Sequence, residues 1–346
     1  MSVTEGAATS KARLALLDNA RYWVMLLVVV GHFLTSLVAV NDTARGIYVW
    51  AYSFHMPFFV LISGYTAQSY VGSPSQLRRI VSTLIVPYLL VEASLQLLMR
   101  HYSGRPETLM LLSPHWLGWF LIALVVWRLT TPLWRVIKYP ITVSVIISLA
   151  SGLIDIPNAL AMTKVLGLLP FYVIGLHLNR DFFERLDRAW IRVVSWVILL
   201  STLSASLLWS SDWNERWPTV WLLWKRMYSE APLSVGAFEG IATRGLLIVT
   251  ALILTVAAFA VIPRGRSWVT SFGERTLYAY LLHGYVILIL NKQFDLWSRI
   301  EPYGIWAVIG CVIAGIALAN VLMTGLVQKA FRPLFEPRLN WLLRGS

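Results

Sequence analysis

Arg21 and His32 stand three helical turns apart in an almost wholly apolar run, Arg21-Tyr-Trp-Val-Met-Leu-Leu-Val-Val-Val-Gly31-His32. At 1.5 Å and 100° per residue they share one helical face, roughly 16 Å apart. An imidazole at that depth in a bilayer is costly and marks a functional position. A second histidine follows in Ser53-Phe54-His55-Met56-Pro57-Phe58-Phe59. Counted from the outer ends of their spans, His32 and His55 sit at matched depth on antiparallel neighbours, and the alternative is two buried histidines bonded to backbone or to lone serines. Glu92 is the third intramembrane group and can reach the same level, where a carboxylate would hold an imidazole's tautomer and raise its basicity. Asp18 precedes Arg21 by the three residues of a helical ion pair. His283 counts to the inner half of a later span. His101, His115 and His177 fall in loops or at a span end and read as solvated. Zinc would need three or four ligands, only Glu92 is at hand as a third, and no metal motif is present, so no metal site is expected.

The elements that must carry these groups follow from composition. The chain is 58% hydrophobic and 13% charged, with a mean hydropathy of +0.66; a soluble domain carries about twice that charge fraction. Apolar runs near 20 residues, with no two-residue alternation, point to membrane helices rather than barrel strands. The expected fold is all-α: a polytopic transmembrane bundle of about ten spans near 22–40, 47–70, 79–99, 116–134, 139–154, 162–177, 190–209, 244–262, 275–293 and 303–327. Residues 1–15 read as a disordered cytoplasmic lead, 16–328 as the transmembrane domain, and 329–346 as a cytoplasmic interfacial tail. An N-in, C-in orientation puts 19 of the 29 Lys and Arg inside, as the positive-inside rule requires. The first span is about nineteen residues long and holds His32, which argues for an uncleaved helix rather than a signal peptide. Trp213, Trp217, Trp221 and Trp224, at three- and four-residue steps, suggest an interfacial helix on the outer surface. The net charge of +12 is spread over short loops beside spans, where anionic lipids and topology account for it, and nucleic acid is not an expected partner. The single Cys311 permits no intrachain disulfide and reads as a packing residue.

Asp18-x-x-Arg21, ten residues to His32, then Phe54-His55-Met56-Pro57-Phe58-Phe59 and Ser63-Gly64-Tyr65, resemble the bacterial acyltransferase-3 family, which includes fucose 4-O-acetylase-like proteins. Arg78-Arg79 with Val86-Pro87-Tyr88, Trp119-Phe120-Leu121 with Trp127-Arg128-Leu129, Leu169-Pro170-Phe171 with Gly175, and Leu277-Tyr278-Ala279-Tyr280-Leu281-Leu282-His283 extend the likeness over roughly residues 14–290. The resemblance implies an O-acyltransferase of the bacterial cell membrane, moving an acyl group, usually acetyl, from cytoplasmic acetyl-CoA or another acyl-CoA to a hydroxyl of a surface glycan or glycolipid. The coenzyme would be a substrate, with no bound cofactor. His32, His55 and Glu92 are then the candidate catalytic residues, Arg21, Arg78 and Arg79 the donor-binding ones, and Asp18, Ser63 and His283 their support. The family's Arg-x-x-Arg would need an arginine at position 76, where this chain has Gln76.

The residue types suit that chemistry independently. Neutral imidazole is a fitting base near pH 7 for a sugar hydroxyl attacking a thioester, and arginine forks bind the phosphates of a coenzyme. A lipid-linked-sugar flippase or transporter would also keep charges mid-membrane, but with paired, broken repeats. A polyprenyl-dependent glycosyltransferase would want an acidic residue in the first outer loop, where Asp42 is the one available.

Overall fold

The computed structural model describes residues 3–104, 109–114, 116–156, 159–215 and 217–337; side chains are described from residue 15 on, except those of 214–215. His115 and the tail beyond residue 337 lie outside the described residues. Every regular element among them is helical. The helices used below are α1 (Val3–Leu34), α2 (Asp42–Tyr52), α3 (His55–Thr66), α4 (Pro74–Ser103), α5 (Trp119–Val136), α6 (Pro140–Ala150), α7 (Met162–Gly167), α8 (Leu169–His177), α9 (Ala189–Leu208), α10 (Ala237–Val261), α11 (Trp268–Gly273), α12 (Thr276–Phe294), α13 (Ile305–Leu322) and α14 (Gly325–Phe335).

The protein is an all-α polytopic membrane protein, with seven helices long and apolar enough to cross a bilayer, or eight if α7 and α8 form one span. That is fewer than the ten expected. Helix α6 has 11 residues, about 16 Å, and is too short to cross a ~30 Å core alone. Helices α7 and α8 bend by 61° at their break. Helix α12 is long enough at 19 residues, but its tyrosines, histidine and Asn291-Lys292-Gln293 end lower its apolarity. Two further expectations change. Helix α1 starts at Val3, in the segment whose polar composition suggests disorder. The tryptophan stripe is broken: Pro218 precedes a short 3₁₀ turn, Thr219–Leu223, and Trp221 and Trp224 are buried rather than spread on a surface.

The chain forms two compact units that alternate along it. Among the described residues, one comprises those up to Phe59, Asn179–Trp217 and Val249–Gln328; the other comprises Val60–Leu178, Pro218–Ile248 and those from Lys329 on.

In the first unit α1 is the axis. Tyr22 donates to Asn320 (3.0 Å), and Gly315 lets α13 approach Val30 so closely that a Cβ there would lie 3.0 Å from the Val30 Cα. Position 22 meets 320 and 30 meets 315, so α13 runs antiparallel to α1. The turn before α12 is pinned to the other end of α1. The Asn19 amide donates to the carbonyls of Pro263 (2.7 Å) and Gly265 (2.9 Å) and accepts from the Thr270 hydroxyl (2.7 Å). Gly273 lies against the backbone of Asp18, where a Cβ would stand 1.8 Å from the carbonyl oxygen. Helix α12 therefore starts level with Asp18, where the apolar part of α1 begins, and runs parallel to it. At the far end, the Trp297 indole donates to the Phe33 carbonyl (2.7 Å). Buried Arg45 gathers the carbonyls of Val38, Ala39 and Ser210 and pairs with Asp42 (2.6 Å). A residue with five N–H donors is suited to closing several open helix ends at once.

The second unit uses the same device. Gly64 on α3 and Gly175 on α8 face each other's helix backbones: a Cβ would sit 2.0 Å from the Tyr172 oxygen and 2.1 Å from the Leu61 oxygen, respectively. Without a hydrophobic drive between helices in lipid, such small residues permit the close packing that holds spans together. Trp127 donates to the Val165 carbonyl (3.1 Å), and Thr131 bonds the Tyr172 hydroxyl (2.7 Å), tying α5 to α7 and α8. Buried Arg244 on α10 donates to the Ser148 carbonyl (3.2 Å) and Ser151 hydroxyl (3.0 Å) at the end of α6, and to the Arg226 carbonyl (3.2 Å). A cation at the C-terminus of a helix answers its open carbonyls and dipole.

Gly175→Val is expected to lower the midpoint of thermal unfolding in detergent, since forcing atoms into a packed contact costs about 1–3 kcal/mol or more. Gly310→Ala, at a helical position with nothing within 4 Å of a new Cβ, should leave the midpoint unchanged or raise it. Equal midpoints for the two variants would contradict the close backbone contact.

Candidate active site

His32 lies in the last turns of α1, just past Gly31. A Cβ on Gly31 would stand 2.7 Å from the Tyr52 ring, so glycine there admits the tyrosine to the helix beside the histidine. The Tyr52 ring lies near both imidazoles, its centroid 6.4 Å from that of His32 and 4.4 Å from that of His55. Tyr48 stacks on its other side at 3.7 Å. His55 begins α3 where the helix is interrupted at Ser53-Phe54 between α2 and α3. Pro57 has no N–H to give to the Ser53 carbonyl, so the helix cannot run through this joint unbroken.

The closest partner of His32 is His283. Nδ1 of His32 is 2.7 Å from Nε2 of His283, with the two rings nearly parallel at 10°. Nδ1 of His283 is in turn 2.8 Å from the Ala279 carbonyl oxygen. A carbonyl only accepts, so with neutral rings Nδ1 of His283 carries a proton and its Nε2 presents a lone pair. Nδ1 of His32 must then donate to that lone pair. By this assignment the Nε2 lone pair of His32 is directed away from its partner and can take a proton. His283 is fully buried, whereas His32 is partly accessible. His55 resembles His283: it is buried, and its Nδ1 lies 2.8 Å from the Ala51 carbonyl.

The expectation that His283 lies nearer the inner half, away from His32, is therefore corrected. Depth was counted from hydropathy-defined ends, but Gly273, three residues before α12, already touches Asp18 inside the first span. Three turns below His32 on the same helix, at the other end of its apolar run, Arg21 donates to Asp18 (2.6 Å) as the spacing implies. The Arg21 side chain remains 31% exposed, and its other N–H groups have no protein partner among the described residues.

Glu92, Ser63, Arg78 and Arg79 belong to the second unit. Glu92 is fully buried in α4 and accepts from the Gln96 amide (2.7 Å); Gln96 also donates to the Met110 carbonyl (3.2 Å) and accepts from its N–H (2.9 Å). The other carboxylate oxygen points at Gly118, where a Cβ would stand 2.2 Å away. Gly118 precedes α5, so the carboxylate meets the positive end of that helix. Arg78 donates to the Pro74 carbonyl (3.3 Å), and Arg79 is exposed. Gln76, which stands where the family spacing has an arginine, closes the loop before α4. It accepts from the N–H groups of Val71 (2.9 Å) and Ser73 (3.3 Å) and donates to the Ser69 carbonyl (2.8 Å). Ser63 lies in the α3 turn beside Gly64, where its carbonyl accepts from Ala67 N–H (3.1 Å). His101 and His177 are exposed, as expected.

Sequence reasoning did not single out Asn19, Tyr52, Gln96 or Arg244. A polar residue inside an apolar run is the signal for the first and the last, but it names no partner.

A family model for an acyltransferase domain matches residues 14–324. The chain belongs to the acyltransferase-3 family. No curated protein and no solved structure matches it significantly. Family membership and the helical architecture make this protein a membrane acyltransferase, and both ends of the matched region enclose the His32–His283 pair.

If His283 positions His32, His283→Leu should lower kcat on the order of 10²-fold with donor KM little changed, as loss of a group that orients a base does. His283→Gln, whose side-chain oxygen can replace Nε2 as acceptor, should recover most of that loss. Equal activity of the two variants would mean that the acceptor atom at position 283 does not matter.

Proposed function

We propose that this acyltransferase moves an acyl group, acetyl in the simplest case, from a cytoplasmic coenzyme A thioester to a hydroxyl of a surface glycan or glycolipid, with His32 as general base. The observation that carries this reading is the hydrogen-bond chain Ala279–His283–His32, which fixes the proton of His32 on Nδ1 and so makes Nε2 its basic nitrogen. In the reaction the acceptor hydroxyl gives its proton to Nε2 of His32 as its oxygen attacks the thioester carbonyl. The carbon–sulfur bond then breaks, and the departing thiolate takes the proton back from the imidazolium. His283 keeps its neutral lone pair against the Nδ1–H of His32 throughout, so the developing cation retains a hydrogen-bond acceptor.

His55, buried with its own tautomer held by Ala51, is assigned as a second imidazole of the same site through Tyr52. Arg21 is assigned to the coenzyme's phosphates, its orientation fixed by Asp18, because a partly exposed guanidinium with unused N–H groups matches phosphate oxygens. Arg78 and Arg79 are assigned to the same donor. Gln76 contributes no charge there, which leaves an adjacent pair in place of the spaced one. Glu92 is retained as a candidate for the acceptor side, and Ser63 as support for the α3 turn. The setting proposed is a bacterial plasma membrane, with both termini in the cytoplasm. No cofactor is assigned.

His32→Ala and His32→Gln should reduce transfer of label from radiolabelled acetyl-CoA to envelope fractions by 10²–10⁴-fold, the usual cost of losing a general base. Membrane levels and gel-filtration profile should match those of the parent protein. Activity within a few-fold of the parent at equal expression would remove His32 from the chemistry. A flippase would move its lipid without consuming donor.

Orientation is tested separately. In a Cys311→Ala background, Ser103→Cys and Ser211→Cys should react with a membrane-impermeant maleimide in intact cells. Ser75→Cys should react only after permeabilisation. The reverse pattern would turn the protein over and place His32 toward the cytoplasmic leaflet.

A further inference from the structure

The second unit holds a pair of lysines that the acyl-transfer machinery described above does not use. Lys164 lies in α7, immediately after Leu160 and Ala161, whose φ values of 55° and 53° turn the chain sharply into the helix. Its ammonium sits over the Trp119 ring, 4.4 Å from the centroid. Lys225 follows Trp224, which has φ 56° at the end of the 3₁₀ turn. Trp224 packs on α7 at Gly167, where a Cβ would stand 3.2 Å from the Trp224 Cβ. Lys164 and Gly167 are three residues apart and share a helix face, so with Trp224 seated at Gly167 the next residue, Lys225, starts from the face of α7 that carries Lys164.

This arrangement is built, not loose. Trp224 contacts Phe171, ring centroids 5.7 Å apart. Tyr228 donates its N–H to the Gly152 carbonyl (2.8 Å) and its hydroxyl to the Leu149 carbonyl (2.8 Å), and the Arg244 guanidinium lies over its ring at 4.8 Å. No carboxylate answers the lysines: among the described residues none lies at ion-pair distance from either. Glu230 is paired with Arg226, and Glu92 is held by Gln96. Burial, with Arg226 adding to it and Glu230 opposing it, holds the Lys225 ammonium below its usual range. Lys225 is exposed and Lys164 partly so, and two cations at one face of α7 with no carboxylate at ion-pair distance offer an oxyanion a paired contact. Lysine is a common point-charge ligand of phosphate, and two lysines match the near-double charge of a phosphate monoester.

We propose that Lys164 and Lys225, beside Trp119, form a phosphate subsite that holds a phosphate-bearing acceptor. The proposal rests on the acyl-transfer reading and its orientation, which puts both lysines on the outer side, where the acceptor arrives. A phosphate there can also come from a lipid headgroup, toward which lysines commonly extend.

The test is binding, independent of turnover. The full chain in phosphatidylcholine nanodiscs is treated briefly with an amine-acetylating reagent, and modification of Lys164 and Lys225 is read by peptide mass spectrometry. Glucose 1-phosphate and inorganic phosphate should each protect both lysines several-fold relative to chloride at equal ionic strength. Lys225→Gln should abolish the protection of Lys164. No protection, or protection by chloride to the same extent, overturns the subsite. Protection on replacing part of the phosphatidylcholine with phosphatidylglycerol, with none from the soluble phosphates, makes it a lipid site and overturns the acceptor assignment. If Lys225→Gln does not fold, the arms on the parent protein still decide. Loss of acetyl transfer in His32→Ala would leave this result unaffected, so the two readings fail separately.

Discussion

A helix that carries polar atoms through an apolar environment must find each of them a partner, because water is not there to take the place of one. In the first unit that demand falls on α1. Asn19 is answered by the carbonyls of Pro263 and Gly265 and by Thr270, Tyr22 by Asn320, and His32 by His283. Each of these bonds contributes only about 1 kcal/mol net, while an unanswered buried group costs about 1–3 kcal/mol. Their effect is therefore selective: they penalise every register of α12 and α13 against α1 except the one observed. Gly273 and Gly315 make that register reachable by letting the backbones close up.

The class of the protein was legible in its composition, and so were the Asp18–Arg21 pair and the outermost spans, because these depend on local spacing or on summed hydropathy. The partner of His32 was not legible. His283 lies 251 residues away, and depth counted from assumed ends misplaced it. Span number was overestimated for a related reason. Hydropathy sees that residues 139–154 and 162–177 are apolar, but not that α6 stops after 11 residues or that the chain bends by 61° at Leu168. The tryptophans at 213–224 show the remaining failure. Their spacing fits one helical face, yet Pro218 ends the helix, and tertiary packing against α7 buries Trp224.

Position 76 shows how a departure from a family pattern can be read physically. The glutamine there is fully engaged with Ser69, Val71 and Ser73, and it belongs to a capping box with Ser73 at the start of α4. An arginine could not accept from two backbone N–H groups, since its side chain has donors only. The glutamine is therefore part of the scaffold from which α4 starts, with Arg78 and Arg79 in its first turns.

The choice of histidine rather than a carboxylate as the partner of His32 follows from where the pair lies. An aspartate at that position would stabilise the imidazolium more strongly, but it would have to be ionised in the resting state, and a desolvated carboxylate facing a neutral ring has little to offset its cost. A neutral imidazole carries no such charge before the reaction begins. It fixes the same tautomer through one lone pair, and its own proton is held by the Ala279 carbonyl, which the helix supplies. The carboxylate found buried among the described residues, Glu92, stands instead at the positive end of α5 with Gln96 against one oxygen, where helix dipole and amide share the charge. Each ionisable group thus occupies a site whose electrostatics suit it. In the proposed reaction this leaves Nε2 of His32, on a partly accessible ring, as the nitrogen that takes the proton.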